Sequence, residues 1–413
     1  MKKIYKKTLS LFAISAILLG IVNNFTFTNA SEISSPIEVE SKRSEYAKHY
    51  LNADGTYTAI INTNPIHYLN NNIWQEIDNT LALKEGKYTN QGNALNVAFS
   101  TQTSVKSLTQ INTEPMIDID YRDFSISWDM VSVNNQNTVS EEMSQFTILP
   151  EETTDISLNS QAIETVISED FEKLDSKAKY SSIYEGIDLE FEILPATVKE
   201  TIVIDSREDI IDKFAYYIVA DGLSLSLTES GTIEFSDSEG SPIFIMPKAF
   251  MFDSSDNSEY NYDIVTTLEE YAQGHLITFS VDIEWLNAVE REYPVMIDPT
   301  ITLNTGIGAT YVDEAYPCQN FYTSSLYYVN STNGARKESF ITAPSDISGF
   351  SIFNEVTTAY CRAKINSRAS GIQYINVNMV NSAFTLGGIR YNSAQGITTT
   401  IDDMVYISPN LQQ

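Results

Sequence analysis

The sequence predicts an all-β protein built from antiparallel sheets in sandwich-like layers, with few short helices. Three observations carry this. Apolar residues recur with a period of two, as in Leu189, Phe191 and Ile193 against Asp188, Glu190 and Glu192, which gives a strand one dry and one wet face. Turn dipeptides such as Asp54-Gly55, Asp221-Gly222, Ser230-Gly231 and Glu239-Gly240 punctuate these runs and supply the positive φ that tight hairpins need. Long runs at helical period are nearly absent.

The elements follow in order. Lys2, Lys3, Lys6 and Lys7 precede an uncharged apolar run, Leu9 to Val22, and Thr28-Asn29-Ala30 offers a small-residue cleavage site. Residues 1–30 therefore read as a secretory signal peptide. The run is short for a bilayer span, which needs roughly 20 apolar residues, and no second run follows, so no transmembrane span is expected after cleavage. Residues 31–43 are polar and read as a flexible leader. Residues 44–300 form one strand-rich body. Its first hairpin sets Tyr46–Leu51 against Thr56–Ile61, and its second sets Ile66–Leu69 against Ile73–Ile77 across Asn70-Asn71-Asn72. A stretch rich in Thr, Ser, Asn and Gln near residues 134–159 interrupts the body and divides it into two lobes.

Further along, Leu223, Leu225 and Leu227 alternate with Ser224 and Ser226, and Ile277, Phe279, Val281, Ile283 and Trp285 keep one parity. Short helices are expected only at Asp209–Tyr217 and Trp285–Val289. Trp74 and Trp285 lie in alternating apolar strings and are expected to anchor the core. Residues 301–413 change in composition, with fewer acids and more Tyr, Ser, Thr and Asn, and read as a second β-unit after a linker at Thr302–Gly308. The chain ends in Ser408–Gln413 with neither an apolar nor a basic tail, so no covalent anchor is expected there.

Composition narrows the partners. The 413 residues hold 25 Lys+Arg against 55 Asp+Glu, a net charge of −30. Such a charge repels phosphate backbones, so no nucleic-acid partner is expected. Aromatic residues make up 11%, which separates this chain from acidic disordered tails. With three His and two Cys, a four-Cys iron–sulfur cluster is excluded and little material remains for zinc. In an oxidising compartment Cys318 and Cys361 either pair, closing a loop worth about 3–4 kcal/mol, or remain two buried thiols.

Several strings are more specific. Ser44–Leu81 contains Pro65, Ile66, His67 and Tyr68, then Trp74, then Ile77, Asp78, Asn79, Thr80 and Leu81. Tyr180–Ile204, Asp221–Ser255 and Tyr293–Ile301 follow in order. Together they resemble the N-terminal region of secreted bacterial wall-associated and RHS (YD-repeat) proteins. Ala309–Ile341 with Thr357–Ile365 is similar to a DNRLRE-type, carbohydrate-binding-like β-sandwich, with Arg336 at the place of that module's central Arg. The acidic and Arg residues that give that module its name are not fully present, and 301–413 is short for the whole of it. The resemblance implies a secreted, cell-wall-associated protein.

Candidate chemistry is sparse. Asp188, Glu190 and Glu192 share a strand face, and a glycosidase needs two carboxylates about 5–10 Å apart, but the same pattern makes a solvated face. No G-x-S-x-G elbow accompanies His49, His67 or His275, so no catalytic residue is assigned. Asp253–Glu259 offers oxygens that suit calcium or an exposed hairpin tip; no other cofactor or metal is expected. Tyr311, Tyr316, Tyr322, Tyr327 and Arg336, interleaved with amides, suit a carbohydrate surface, because rings stack on sugar CH faces while amides bond hydroxyls. The residues thus point to a secreted, non-enzymatic cell-surface scaffold with a polysaccharide-binding C-terminal module. The alternatives are an extracellular glycan-degrading enzyme using a carboxylate pair, and a truncated N-terminal carrier of an RHS-type polymorphic toxin.

Overall fold

The computed structural model describes residues 36–62, 64–111, 114–132, 143–150, 173–255, 261–304, 308–315, 337–342, 374–380 and 399–406. The all-β expectation holds. The chain opens with β1 (Ile37–Glu38), β2 (Ala47–Leu51) and β3 (Tyr57–Ile61), which form a three-stranded antiparallel sheet. β4 (His67–Asn70) and β5 (Ile73–Glu76) form a separate hairpin. Asn71 and Asn72 take its turn with φ of 49° and 64°, the left-handed region that Asn tolerates better than other L-residues. Residues 36–43, within the polar stretch read as a leader, thus supply β1 and a 3-10 turn at Glu40–Lys42.

The body is two large sheets. Chain order gives β6 (Asp78–Lys84), β7 (Lys87–Gly92), β8 (Leu95–Ser100), β9 (Gln102–Thr103), β10 (Lys106–Ser107), β11 (Ile117–Tyr121) and β12 (Phe124–Ser132). β13 (Ser144–Leu149), β14 (Ser176–Tyr184), β15 (Ile187–Leu194) and β16 (Thr197–Ile204) come next. Then follow β17 (Lys213–Asp221), β18 (Ser224–Leu227), β19 (Ile233–Ser236), β20 (Pro242–Met246) and β21 (Phe250–Phe252). β22 (Val265–Tyr271), β23 (Gly274–Ser280), α1 (Ile283–Asn287), which is the single α-helix among the described residues, β24 (Val295–Asp298) and β25 (Ile301–Leu303) complete the body. One sheet runs β22-β23-β17-β12-β11-β8-β7-β6, with β10 parallel to β12. The other runs β18-β19-β20-β25-β16-β15-β14-β13-β9, with β24 joining β16 to β21.

Inward side chains of both sheets merge into one core. β15 alternates strictly between buried and half-buried positions, and Phe191 meets Phe99 of the facing sheet with ring centroids 5.2 Å apart. Tyr184 meets Phe214 at 6.5 Å in the same way, edge to face. Tyr180 also donates its hydroxyl to Ser100 O at 2.5 Å, a polar link across the apolar layer. The outer face of the first sheet carries a smaller cluster of Val131, Ala215, Tyr217, Leu276 and Ile111. That second covering explains why Phe214–Ile218 is buried at every position rather than at alternate ones.

Three local expectations are corrected. Asp209–Tyr217 is not a helix: a 3-10 turn at Arg207–Asp209 leads directly into β17, whose two buried faces produce a continuous apolar run that lacks a period of two. The parity run from Ile277 to Trp285 breaks at Ser280, and Asp282 caps α1 by accepting from the N–H groups of Glu284 and Trp285. Trp74 and Trp285 are only half-buried, and Trp285 carries the Arg291 guanidinium over its ring at 4.3 Å. The buried tryptophan is Trp128 on β12.

Beyond the body, β26 (Gly308–Asp313) pairs with β27 (Lys337–Thr342), and β28 (Tyr374–Val380) with β29 (Thr399–Tyr406), both antiparallel.

Candidate functional site

The densest group of chemistry-bearing side chains among the described residues lies where β1 and β2 approach the β4–β5 hairpin. His67 and Glu76 are directly opposed in the hairpin register. Glu38 comes from β1, Lys48 from β2, and Arg43 from the link between them. Arg43 grips Glu38 with Nε to Oε1 at 2.6 Å and Nη2 to Oε2 at 2.9 Å. The same Nη2 reaches Glu76 Oε1 at 3.0 Å. Lys48 Nζ donates to that oxygen at 2.9 Å, although its side chain is only 1% exposed. His67 is fully buried, and its Nδ1 lies 2.6 Å from Ser44 O. A carbonyl oxygen can only accept, so Nδ1 carries the proton. Burial holds the imidazolium form down, opposed by the Ser44 contact and reinforced by the charges of Arg43 and Lys48. The neutral ring then presents Nε2 as a bare lone pair, and that atom is buried without a hydrogen-bond partner.

A second buried polar group lies between the sheets. Glu200 shares parity with the apolar Val198, Ile202 and Ile204 on β16 and points inward. Tyr216 Oη donates to Glu200 Oε1 at 2.6 Å. Burial, with Asp298 nearby, pushes the Glu200 carboxyl up to about 8 despite that hydrogen bond. Burial likewise raises Asp298, against Lys199 and the donors of Thr300. Glu200 is thus set to hold a proton inside the core at neutral pH. The signal was legible: a Glu at an inward position of an alternating strand is an exception that needs a partner.

The residues singled out from sequence fare differently. Asp188 of the Asp188/Glu190/Glu192 face is held by Lys179 Nζ at 2.7 Å and by the N–H of Ser182 at 2.7 Å, inside the irregular pairing of β14 with β15. It secures that irregularity. In the acidic loop, Asp253 accepts from Arg291 Nη1 at 3.0 Å and from Ser255, while Asp256–Glu259 lie outside the described residues. Tyr311 is on β26, with its backbone paired to Ser339. Tyr316, Tyr322, Tyr327, Arg336, Cys318 and Cys361 lie outside the described residues. Sequence reasoning missed Glu38, Arg43, Lys48 and Glu76, because a charged residue among many others does not announce its burial or its partner, and it missed Glu200 despite that residue's inward parity.

No protein-family model matches the chain, and no solved structure does. Curated relatives do. The chain is 27% identical over 304 residues to the tRNA3(Ser)-specific nuclease WapA of Bacillus spizizenii, a match covering 72% of this chain and 12% of that protein. It is 26% identical over 302 residues to the tRNA nuclease WapA of Bacillus subtilis, covering 71% and 12% respectively. It is 26% identical over 223 residues to a wall-associated protein of Geobacillus stearothermophilus, covering 53% of this chain and 76% of that one. The chain is therefore similar to cell-wall-associated proteins, and it spans about an eighth of the length of the WapA relatives. No helix among the described residues is long and apolar enough to cross a membrane.

These names overturn the expectation of a non-enzymatic surface scaffold, because the relatives matched over most of this chain are nucleases. They also weigh against excluding a nucleic-acid partner. The physical reason is one of scope. Net charge describes only the long-range field of this chain, and the WapA relatives extend far beyond the region matched.

Proposed function

We propose that this chain serves a wall-associated tRNA nuclease of the WapA kind, as the two-sheet body on its wall side. The supporting observation is the match to WapA nucleases, which takes in about seven-tenths of the chain. The ordered strings from Ser44 to Ile301 become structural parts of this region: Ile66 and Ile77 are buried around the β4–β5 hairpin, and Asn79 ties β6 to the segment that enters β14. In this reading the chain is exported, its RHS-like region is the part held at the envelope, and Tyr311, Tyr316, Tyr322, Tyr327 and Arg336 belong to a surface that adheres to wall polysaccharide. The Cys318–Cys361 pair is proposed as a bridge within that segment.

Deleting residues 36–304 in frame from the gene that carries them tests the reading. The expected result is loss of tRNA-cleaving activity from the wall fraction. Activity that stays in the wall at its original level contradicts it.

A further inference from the structure

We propose that Glu38, His67 and Glu76 form a binding site for a divalent transition-metal cation of the zinc class, bound through His67 Nε2 and one oxygen from each carboxylate. One ring nitrogen of His67 and one oxygen from each carboxylate lie within 4.8 Å of one another, and Nε2 is the ring nitrogen left without a partner. Donors around a tetrahedral ion at about 2.0–2.2 Å stand roughly 3.4 Å apart, so a side-chain adjustment of about an ångström closes the site. The glutamates can make it, since Glu76 is half exposed at its side chain.

The imidazole carries the argument. His67 Nδ1 is committed to the Ser44 carbonyl, the outer contact that fixes tautomer and ring direction in metal-binding histidines. Nε2 is fully buried and meets no hydrogen-bond partner. A buried acceptor in that condition is costly unless something bonds it. Two strong donors, Arg43 and Lys48, are close by, yet both turn to the carboxylates instead. Both also use the same oxygen of Glu76, Oε1, which leaves Oε2 for a further cation. A nitrogen ligand with two carboxylates favours zinc-like ions over calcium, which prefers oxygen throughout. Two cations already in the site work against a third. The fixed acid excess of the chain, 55 Asp+Glu against 25 Lys+Arg, works in its favour.

The test uses the full chain, stripped with a chelator and titrated with Co2+, followed by visible absorption and then by Zn2+ competition calorimetry. One saturable equivalent is expected, with a ligand-field band of low-symmetry nitrogen–oxygen coordination that Zn2+ abolishes. His67→Gln and Glu76→Gln should each weaken binding at least ~10-fold, the lower end of what losing even an outer contact costs. Glu76 is at the surface, so Glu76→Gln keeps the test open if the His67 variant fails to fold. A folded chain that takes up no Co2+, or binding that Glu76→Gln leaves unchanged, overturns the proposal. The site stands apart from the nuclease reading, since its readout needs no tRNA.

Discussion

Four aspartates do the same local job. Asp54, Asp78, Asp253 and Asp298 each accept from both the N–H and the hydroxyl of the residue two positions on, namely Thr56, Thr80, Ser255 and Thr300. The Asp-x-Thr/Ser spacing shapes turns in this way, so part of the acid excess that looked like a repulsive surface is turn chemistry. Asn79, between Asp78 and Thr80 at the irregular start of β6, goes further. Its side chain donates to Leu174 O at 2.6 Å and accepts from Asn90 and Asn93 at 3.0 Å each. We predict that Asn79→Ala destabilises the chain by about 1–3 kcal/mol, because its partners are left unpaired in the interior. Urea unfolding measures this, and an unchanged midpoint refutes it.

Glu200 gives a pH prediction at the same scale. In the unfolded chain its carboxyl ionises near the ordinary value of about 4.3, whereas in the fold it holds its proton to about 8. Between those values the unfolded state binds fewer protons, so stability falls as pH rises, by up to about 1.4 kcal/mol per pH unit. Glu200→Gln should remove most of that slope while still accepting from Tyr216. Unfolding midpoints of both proteins at pH 5 and pH 8 decide it, and an equally steep decline in the variant contradicts the assignment. Tryptophan gives a third test. Trp128→Ala should cost about 3–5 kcal/mol, and Trp74→Ala and Trp285→Ala less, since both are half-exposed. Thermal melts in which Trp128→Ala is the mildest of the three sink this ranking.

At the scale of elements, legibility tracks how many faces of a strand are buried. β15 and the hairpins at Asp54-Gly55 and Asn70-Asn71-Asn72 were readable because one face is wet and the turn chemistry is local. β17 was misread as helix because neither face is wet, and periodicity then carries no signal. The helix expected at Trp285–Val289 falls two residues earlier, as α1, because Asp282 caps it and that cap carries no periodic signal. The cluster at Glu38, His67 and Glu76 was not legible, since it joins three elements through pairings that no sequence period encodes. The β22–β23 hairpin shows how tightly elements are set. A Cβ built on Gly274 would meet Ile218 O at 2.2 Å, at the point where β23 runs beside β17. Gly274→Ala should therefore force these strands apart and cost more than the ~1 kcal/mol typical of a point substitution. A melting temperature equal to that of the parent chain would show that the strands can give way.

At the scale of the molecule, the two sheets close on one apolar core through Phe99, Phe191, Tyr184 and Phe214, and net charge plays no part in that closure. Charge led the sequence reading away from nucleic acid, whereas similarity to WapA proteins leads back toward it. The two are compatible if this body holds a nuclease at the wall without itself gripping the phosphate backbone. The most direct measurement is immunodepletion. Antibody raised against residues 36–304 is used to clear a cell-wall extract of the source bacterium, and cleavage of end-labelled tRNA is assayed before and after. The account predicts that tRNA cleavage leaves the extract with the antibody. Full cleavage remaining in an extract emptied of the chain would contradict it.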